Sequence, residues 1–248
     1  YGYGGAMLTQ NFNKAKIDDL PAVGFYMEKG ADGVFGAGDY ILFYAQGATS
    51  WEYNGTQFIH TCNPYSDYGY YFLTDNGGTQ SSMPVATIID GTDGTKVDTY
   101  INYQIHEQDL INLLDRESGV DGGGREFYGE LFSATTPNRT FSFTTPNVVT
   151  SSPVRIRSEV AAFSSRASRF TLSLNGSSNT VKLDSIPVSD FYTKGTLATF
   201  NRDYTVSGNT HNVMLGFSNP AAGASGYLNY IELSATCRLT MTGSYMPF

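Results

Sequence analysis

A regular alternation of apolar and polar residues, which begins at Val154, constrains the fold more than any other feature. Val154, Ile156 and Val160 point one way, and Arg155, Arg157 and Glu159 point the other. Successive side chains of a strand lie on opposite faces, whereas a helix repeats every 3.6 residues. The stretch Val154–Val160 is therefore predicted to be a strand with one buried face.

The same pattern recurs through the second half of the chain. It is found at Phe170–Leu174, Val181–Leu183, Val213–Phe217 and Tyr227–Leu233. The Asn175-Gly176 dipeptide between two of these stretches is a typical hairpin turn. Strands that recur about every 10–15 residues with turns between them favour an antiparallel sandwich. A jelly roll is the preferred version, because the first and last strands are both long and aromatic-rich.

The first half is also rich in predicted strands, although its pattern is less regular. The chain contains 18 Tyr, 16 Phe and 27 Gly, a composition that favours strands and tight turns. Leu110, Leu113 and Leu114 have helical spacing, so a short helix is predicted over 108–116. We predict an all-β protein with a β-rich N-terminal domain at 1–118 and a jelly-roll-like sandwich at 119–248.

Charge and hydropathy exclude two classes of protein. The net charge is -8, and no basic patch is present of the kind that binds nucleic acid. The sequence contains no run of about 18 apolar residues, which a membrane-spanning helix would need. The chain begins at Tyr1 without a signal peptide, so we expect a piece of a longer exported protein whose leader has been removed.

The glycine-rich stretch Gly122–Phe132 is the most conspicuous motif. A phosphate-binding loop requires a following helix, and a strand is predicted there instead. Glu126 and Glu130 would lie about 13 Å apart on that strand. A glycosidase pair is at most about 9.5 Å apart. We interpret the stretch as a loop between the domains, with Arg125, Tyr128 and Glu130 as a structural joint.

The cysteines and histidines give weak signals for catalysis or metal binding. Cys62 and Cys237 are predicted to be either bridged or two buried free thiols, the second being preferred. A nucleophilic pair would need His60 beside Cys62, or His211 brought to Cys237 by folding. The segments 106–109 and 90–95 resemble zinc and calcium sites only faintly, and 90–95 is better explained as a turn. The sequence therefore predicts no catalytic residue, no cofactor and no metal.

Aromatic residues cluster around one loop region of the first domain. They are Trp51, Tyr53, Tyr65 and Tyr68, with Tyr70 and Tyr71. Aromatic side chains on loops can stack on sugars or hold a peptide, but they also fill β-sheet cores. Trp51, Tyr53, Tyr65 and Tyr68 are proposed as a recognition surface, and a stand-alone carbohydrate-binding sandwich at the cell surface is one alternative function.

Several motifs, taken in order, resemble a known family. They are Tyr1–Leu8, Asp39–Gly47, Trp51, Asn63–Asp67, Tyr70–Thr74, His106–Asn112, Gly124–Phe132 and Tyr227–Leu233. Together they are similar to the region preceding the peptidase domain of the PorU-like sortases. These are gingipain-related cysteine peptidases of type IX secretion in Bacteroidetes-type bacteria. The resemblance covers most of the chain.

The resemblance implies a function for the parent protein. A peptidase domain with its catalytic Cys and His would follow Phe248, and the parent would remove C-terminal secretion signals from cargo at the cell surface. The chain itself would be a non-catalytic scaffold or a module that binds cargo. Expected partners are secreted cargo, secretion-system subunits and the downstream peptidase domain. The expected location is outer-membrane-associated or extracellular. A second alternative is that the chain is itself an enzyme, with Cys62 as nucleophile.

Overall fold

The computed structural model describes residues 2–4, 13–15, 20–63, 66–75, 82–83, 96–113, 127–219, 221–241 and 243–244. The strands are β1 (Gly2–Gly4), β2 (Ala22–Val23), β3 (Phe25–Glu28), β4 (Tyr40–Phe43), β5 (Thr49–Tyr53), β6 (Phe58–Cys62), β7 (Tyr71–Leu73), β8 (Thr99–Glu107), β9 (Ile111–Asn112), β10 (Phe127–Tyr128), β11 (Leu131–Phe132), β12 (Asn138–Thr144), β13 (Val154–Phe163), β14 (Ser168–Leu174), β15 (Ser177–Leu183), β16 (Thr196–Tyr204), β17 (Thr210–Ser218) and β18 (Ser225–Arg238). These residues contain no α-helix. Within the same ranges, no helix has the length and apolar character needed to cross a membrane.

The chain divides into two compact units. Unit 1 comprises Tyr1–Glu52 and His60–Gly94, and unit 2 comprises Tyr53–Ile59 and Thr95–Phe248. In unit 1, β1 lies between β2 and β7 in an antiparallel sheet, and β3 pairs with β4. Phe25 on β3 is buried.

The predicted domain boundary between residues 118 and 119 lies outside the described residues, in the stretch 114–126. The long strand β8 lies on the N-terminal side of this stretch, and it pairs along its whole length with β18, the last strand of the described residues. The backbone hydrogen bonds of β8 thus join it to the sandwich, although β8 lies within the range 1–118.

Unit 2 is a jelly-roll-like β-sandwich, which confirms the predicted fold class. One sheet has the order β11-β18-β13-β16, and the other has the order β12-β17-β14-β15. Strands that follow one another in the chain from β11 to β14 alternate between the two sheets, as they do in a jelly roll of eight strands. β8 is an addition to this plan, because it pairs with β18 on the same side as β11.

The core lies between the two sheets and is built by the alternating residues that the sequence indicates. On β13, Val154, Ile156 and Val160 are fully buried. Other strands of the same sheet and strands of the opposite sheet contribute further large side chains, among them Phe132, Phe170, Leu172, Phe200, Leu215, Leu228 and Ile231. Burying an aliphatic or aromatic side chain of this size contributes about 1.5–3 kcal/mol, so this cluster is the main source of stability of unit 2.

The predicted hairpin at Asn175-Gly176 is confirmed. It joins β14 to β15 with Leu174 paired to Ser177. Asn175 and Gly176 both have positive φ, 50° and 80°. A two-residue turn of this kind matches the twist of the flanking strands and favours Asn followed by Gly.

The predicted helix over 108–116 is wrong over its described part, 108–113. Ile111–Asn112 forms β9, which pairs with β10, and the Leu110 N–H donates to the Tyr128 carbonyl at 3.0 Å. Leu110 is 66% exposed whereas Leu113 is buried, so the two residues do not share one apolar face. Pairing with residues 127–128 therefore prevails over a weak local helix pattern.

Candidate functional site

The motif that ends in Phe127–Phe132 is not one strand, as the sequence suggested, but two. β10 pairs with β9, whereas β11 pairs with β18, and the chain changes partner at Gly129 and Glu130. The Gly129 N–H donates to the Leu228 carbonyl at 2.7 Å, and the Leu228 N–H donates to the Glu130 carbonyl at 3.2 Å. The spacing of about 13 Å that was expected for Glu126 and Glu130 assumed one continuous strand, and it therefore does not apply. Glu126 and Arg125 themselves lie outside the described residues.

Gly129 allows a close backbone approach at this point. A β-carbon on this residue would lie 2.9 Å from the Gln108 carbonyl oxygen. Backbone atoms cannot move away as easily as a flexible side chain, so only glycine fits without a shift of the chain. The glycine in the Tyr128-Gly129-Glu130 sequence is thus explained by packing against the segment that follows β8.

Tyr128 lies in a small second core. Its side chain is buried together with Leu113, Ala161 and Tyr227. The Tyr128 and Tyr227 rings lie 6.4 Å apart between centroids, within the range of a favourable aromatic pair. This contact fixes the segment 127–128 against β18.

Glu130 is hydrogen-bonded to His106, which lies on β8. The His106 Nε2–H donates to Glu130 Oε1 at 2.6 Å, and the Glu130 side chain is 14% exposed. Burial raises the pKa of Glu130. The opposing effects are larger together, so the pKa is lowered overall; they are the His106 hydrogen bond, the hydrogen bond from the backbone N–H of Glu130 itself, and the charges of His106 and Arg139. The His106 ring also contacts the Phe141 ring at 4.7 Å. The pair thus connects β8 to the segment between β10 and β11.

A Glu130→Gln variant is expected to lose about 1–2 kcal/mol of folding free energy at neutral pH, because it keeps the shape but loses the charge. The pKa of Glu130 in the folded protein lies below the ordinary value of 4.5 for a glutamate. Its contribution is therefore present above that value and is lost as the pH falls through the folded pKa. Urea unfolding of both proteins over a pH series should show the difference shrinking in acid. A difference that is constant with pH would contradict an electrostatic role.

The proposed aromatic recognition residues have different environments. In unit 1, Trp51 is half-buried and its ring makes an edge contact with His60 at 5.9 Å, and Tyr68 is 71% exposed. In unit 2, Tyr53 is 46% exposed and its ring lies 5.1 Å from Phe58, which contacts Tyr103 at 4.2 Å. Tyr65 lies outside the described residues. Tyr68 and Tyr53 are accessible, whereas Trp51 offers only part of its surface.

Both cysteines are free thiols. Cys62 is half-buried on β6, with its sulfur 3.5 Å from the Thr49 hydroxyl. A His60 ring nitrogen lies within 4.8 Å of the same sulfur. Same-face neighbours on this strand thus come nearer than strand geometry alone indicates, and His60 and Cys62 are placed as a nucleophilic pair would require in distance.

Folding brings His211 near Cys237 through a shared hydroxyl. The Thr145 Oγ1 lies 2.6 Å from His211 Nε2 and also hydrogen-bonds the Cys237 thiol. Burial raises the pKa of Cys237, and burial lowers the pKa of His211. Both shifts favour neutral groups, the opposite of a thiolate–imidazolium pair. The three side chains therefore act as a polar contact inside the core.

The faint calcium-like segment 90–95 and the glycines 122–124 lie outside the described residues. Of the zinc-like segment 106–109, His106 is engaged by Glu130, as described above. No protein-family model matches the chain, and a search of curated proteins gives no match.

Among solved structures, the chain is similar to dimeric latent PorU from Porphyromonas gingivalis, with a TM-score of 0.72 and 27% identity. The similarity covers 98% of this chain and 22% of the PorU chain, so the chain spans about a fifth of that protein. Carbohydrate-binding module CBM36, solved with calcium and xylotriose, gives a TM-score of 0.33 and 14% identity over 55% of this chain and 99% of its own. An insecticidal delta-endotoxin of Bacillus thuringiensis gives a TM-score of 0.29 and 19% sequence identity. That similarity covers 40% of this chain and 18% of the endotoxin chain. The last two similarities are too low to carry an argument. The chain is therefore related in structure to one region of PorU.

Proposed function

We propose that the chain is the non-catalytic N-terminal region of a PorU-like, gingipain-related cysteine peptidase of type IX secretion. The observation that carries this proposal is the similarity to PorU along 98% of the chain, at a TM-score of 0.72. The motifs that resemble the same family in the sequence support it independently. The catalytic Cys and His would then belong to a peptidase domain encoded after Phe248.

In this proposal the chain positions the peptidase and contacts cargo or secretion-system subunits at the cell surface. Tight packing of the jelly-roll core favours a rigid support, and rigid sheets commonly present functional loops. The contacts of Tyr128, Gly129 and Glu130 support the same role, because they fix the chain between two sheets of unit 2.

The environment of Cys237 supports the absence of catalysis in unit 2. A nucleophilic cysteine needs thiolate character and access to substrate. Cys237 is fully buried, and burial raises its pKa. The His60–Cys62 arrangement in unit 1 is the observation that favours the second candidate, a chain that is itself a peptidase.

The experiment is a peptidase assay of the purified chain with a peptide that carries a C-terminal secretion signal. We expect no cleavage above the rate in buffer, for the wild type and for Cys62→Ala alike. Cleavage that is lost in Cys62→Ala, and kept in the matched variant Ser50→Ala, would contradict the non-catalytic role. The coding sequence after Phe248 gives a second test, because a domain without a gingipain-like His and Cys pair would contradict the family.

Carbohydrate binding remains a prediction of the sequence. The exposure of Tyr53 and Tyr68 is compatible with it. Binding on a glycan array that is lost in Trp51→Ala would favour this alternative over the peptidase-associated role.

A further inference from the structure

The strand β16 forms one edge of the five-stranded sheet of unit 2. Over the part of the chain that the structure describes, it pairs only with β13, in an unbroken register from Val154–Tyr204 to Ala162–Thr196. Every second residue of such an antiparallel edge turns its N–H and C=O away from the sheet. The Arg202 guanidinium donates to the Asn201 carbonyl at 2.9 Å, which shows that this carbonyl is reachable from outside the ladder.

β16 lacks most of the devices that protect an edge strand, and the exception is Arg202, whose place in the alternation is that of the buried residues Phe200 and Tyr204. Edges are commonly blocked by proline, by lysine, by a bulge or by short length. The nine residues Thr196–Tyr204 contain no proline or lysine, and their pairing with β13 has no bulge. Its charged residues, Arg202 and Asp203, lie at one end, and Asp203 is engaged by Arg155 at 2.7 Å. At the other end Leu197 is 51% exposed.

An apolar seam lies along this edge. The edge strand of the opposite sheet, β15, lies beside β16. Val181 on β15 and Ala198 on β16 pack on the core but remain partly exposed. The seam is closed at one end by the Asn179 Nδ2–H, which donates to the Tyr204 hydroxyl at 3.1 Å. At the other end, the Thr196 hydroxyl donates to the Asp184 carbonyl at 3.0 Å.

We propose that β16 accepts an extended segment of another protein as an added strand. The outward backbone groups of β16 supply hydrogen bonds at a spacing that only an extended chain matches. An inward side chain of the added strand would cover Ala198 and Val181, so the segment carries an apolar, β-branched residue at that position. Its neighbours on the outer face lie beside Leu197 and Thr199.

A second copy of the chain fits this edge less well. If two β16 strands paired antiparallel over their full length, Leu197 of each would lie opposite Asp203, and Ala198 opposite Arg202. Such a pairing places apolar residues against charged ones at both ends. The edge therefore favours a segment with a different sequence. Binding at β16 is a property of the sandwich itself, whether or not a peptidase domain follows the chain.

The test begins with short random peptides displayed on phage and selected on the immobilised chain. Selected peptides are synthesised, and their Kd is measured by fluorescence anisotropy. We expect alternating apolar and polar residues in the selected peptides.

We expect binding to Ala198→Lys to be weaker by at least about tenfold, because an inward charge at the seam opposes an added strand. The matched variant Ser173→Ala, on the outer face of the other sheet, should bind as the wild type does. Circular dichroism of Ala198→Lys verifies that the variant is folded.

Backbone N-methylation of the peptide gives a measurement that does not depend on any protein variant. Methyl groups on every second residue in one register should abolish binding, whereas methyl groups in the other register should leave it intact. Equal effects of the two registers would overturn the proposal. It would also be overturned if the selected peptides bound Ala198→Lys with unchanged Kd, or if the selection enriched no peptide. Sedimentation that shows a dimer of the chain, lost in Ala198→Lys, would overturn it in favour of a second copy.

Discussion

Replacement of Phe170 by alanine is expected to destabilise the protein by about 3–5 kcal/mol. The Phe170 ring is fully buried between Phe132, with centroids 5.2 Å apart, and Phe217, with centroids 4.9 Å apart. It also fills the space over Gly226, where a β-carbon would lie 2.5 Å from the Phe170 Cζ. Loss of the ring removes two aromatic contacts and leaves a cavity that the two sheets cannot close. Urea unfolding followed by circular dichroism measures the change.

The matched control for Phe170 is its neighbour on the same strand. Thr171 points to the outer face, where its hydroxyl lies 2.9 Å from that of Thr180. Thr171→Ala is expected to change stability by no more than about 0.5 kcal/mol. Similar losses for the two variants would mean that the core does not lie between the sheets as described.

Most of the sandwich could be predicted from the sequence because a strand reveals its buried face locally. Val154, Ile156 and Val160 identify their own face through a period of two, without reference to any partner. The Asn175-Gly176 turn is equally local, since both residues tolerate positive φ. By contrast, the break at Gly129 depends on which strands lie beside Tyr128 and Leu131, and this information is not local.

The contacts of the candidate site were harder to predict for the same reason. Glu130 meets His106 across 24 residues, and Thr145 meets His211 across 66. No spacing rule connects residues on strands that pair only after folding. The sequence predicted a structural role for Glu130 and Tyr128, but it gave no sign that Thr145 would lie between His211 and Cys237.

The pair formed by Arg157 and Glu232 is the second site where a large effect is expected. Arg157 Nη1 donates to Glu232 Oε2 at 2.8 Å, and the Glu232 side chain is only 3% exposed. The Arg157 Cζ also lies 4.9 Å from the centre of the Tyr230 ring. Arg157→Ala removes both contacts and leaves the buried carboxylate without this cation, which typically costs about 3–5 kcal/mol.

Two further variants separate the charge effect from the loss of packing. In the double variant Arg157→Met, Glu232→Leu, both charges are removed and apolar side chains replace them, so most of the lost stability should return. Arg155→Ala is the matched control on the same strand, because its partner Asp203 has a side chain that is 42% exposed. An exposed pair of this kind contributes about 0–1 kcal/mol. All variants are compared by urea unfolding at neutral pH. If Arg157→Ala and Arg155→Ala lower the free energy of unfolding by the same amount, the burial of Glu232 has no energetic consequence. The outer face of β18 would then be more hydrated than its low exposure indicates.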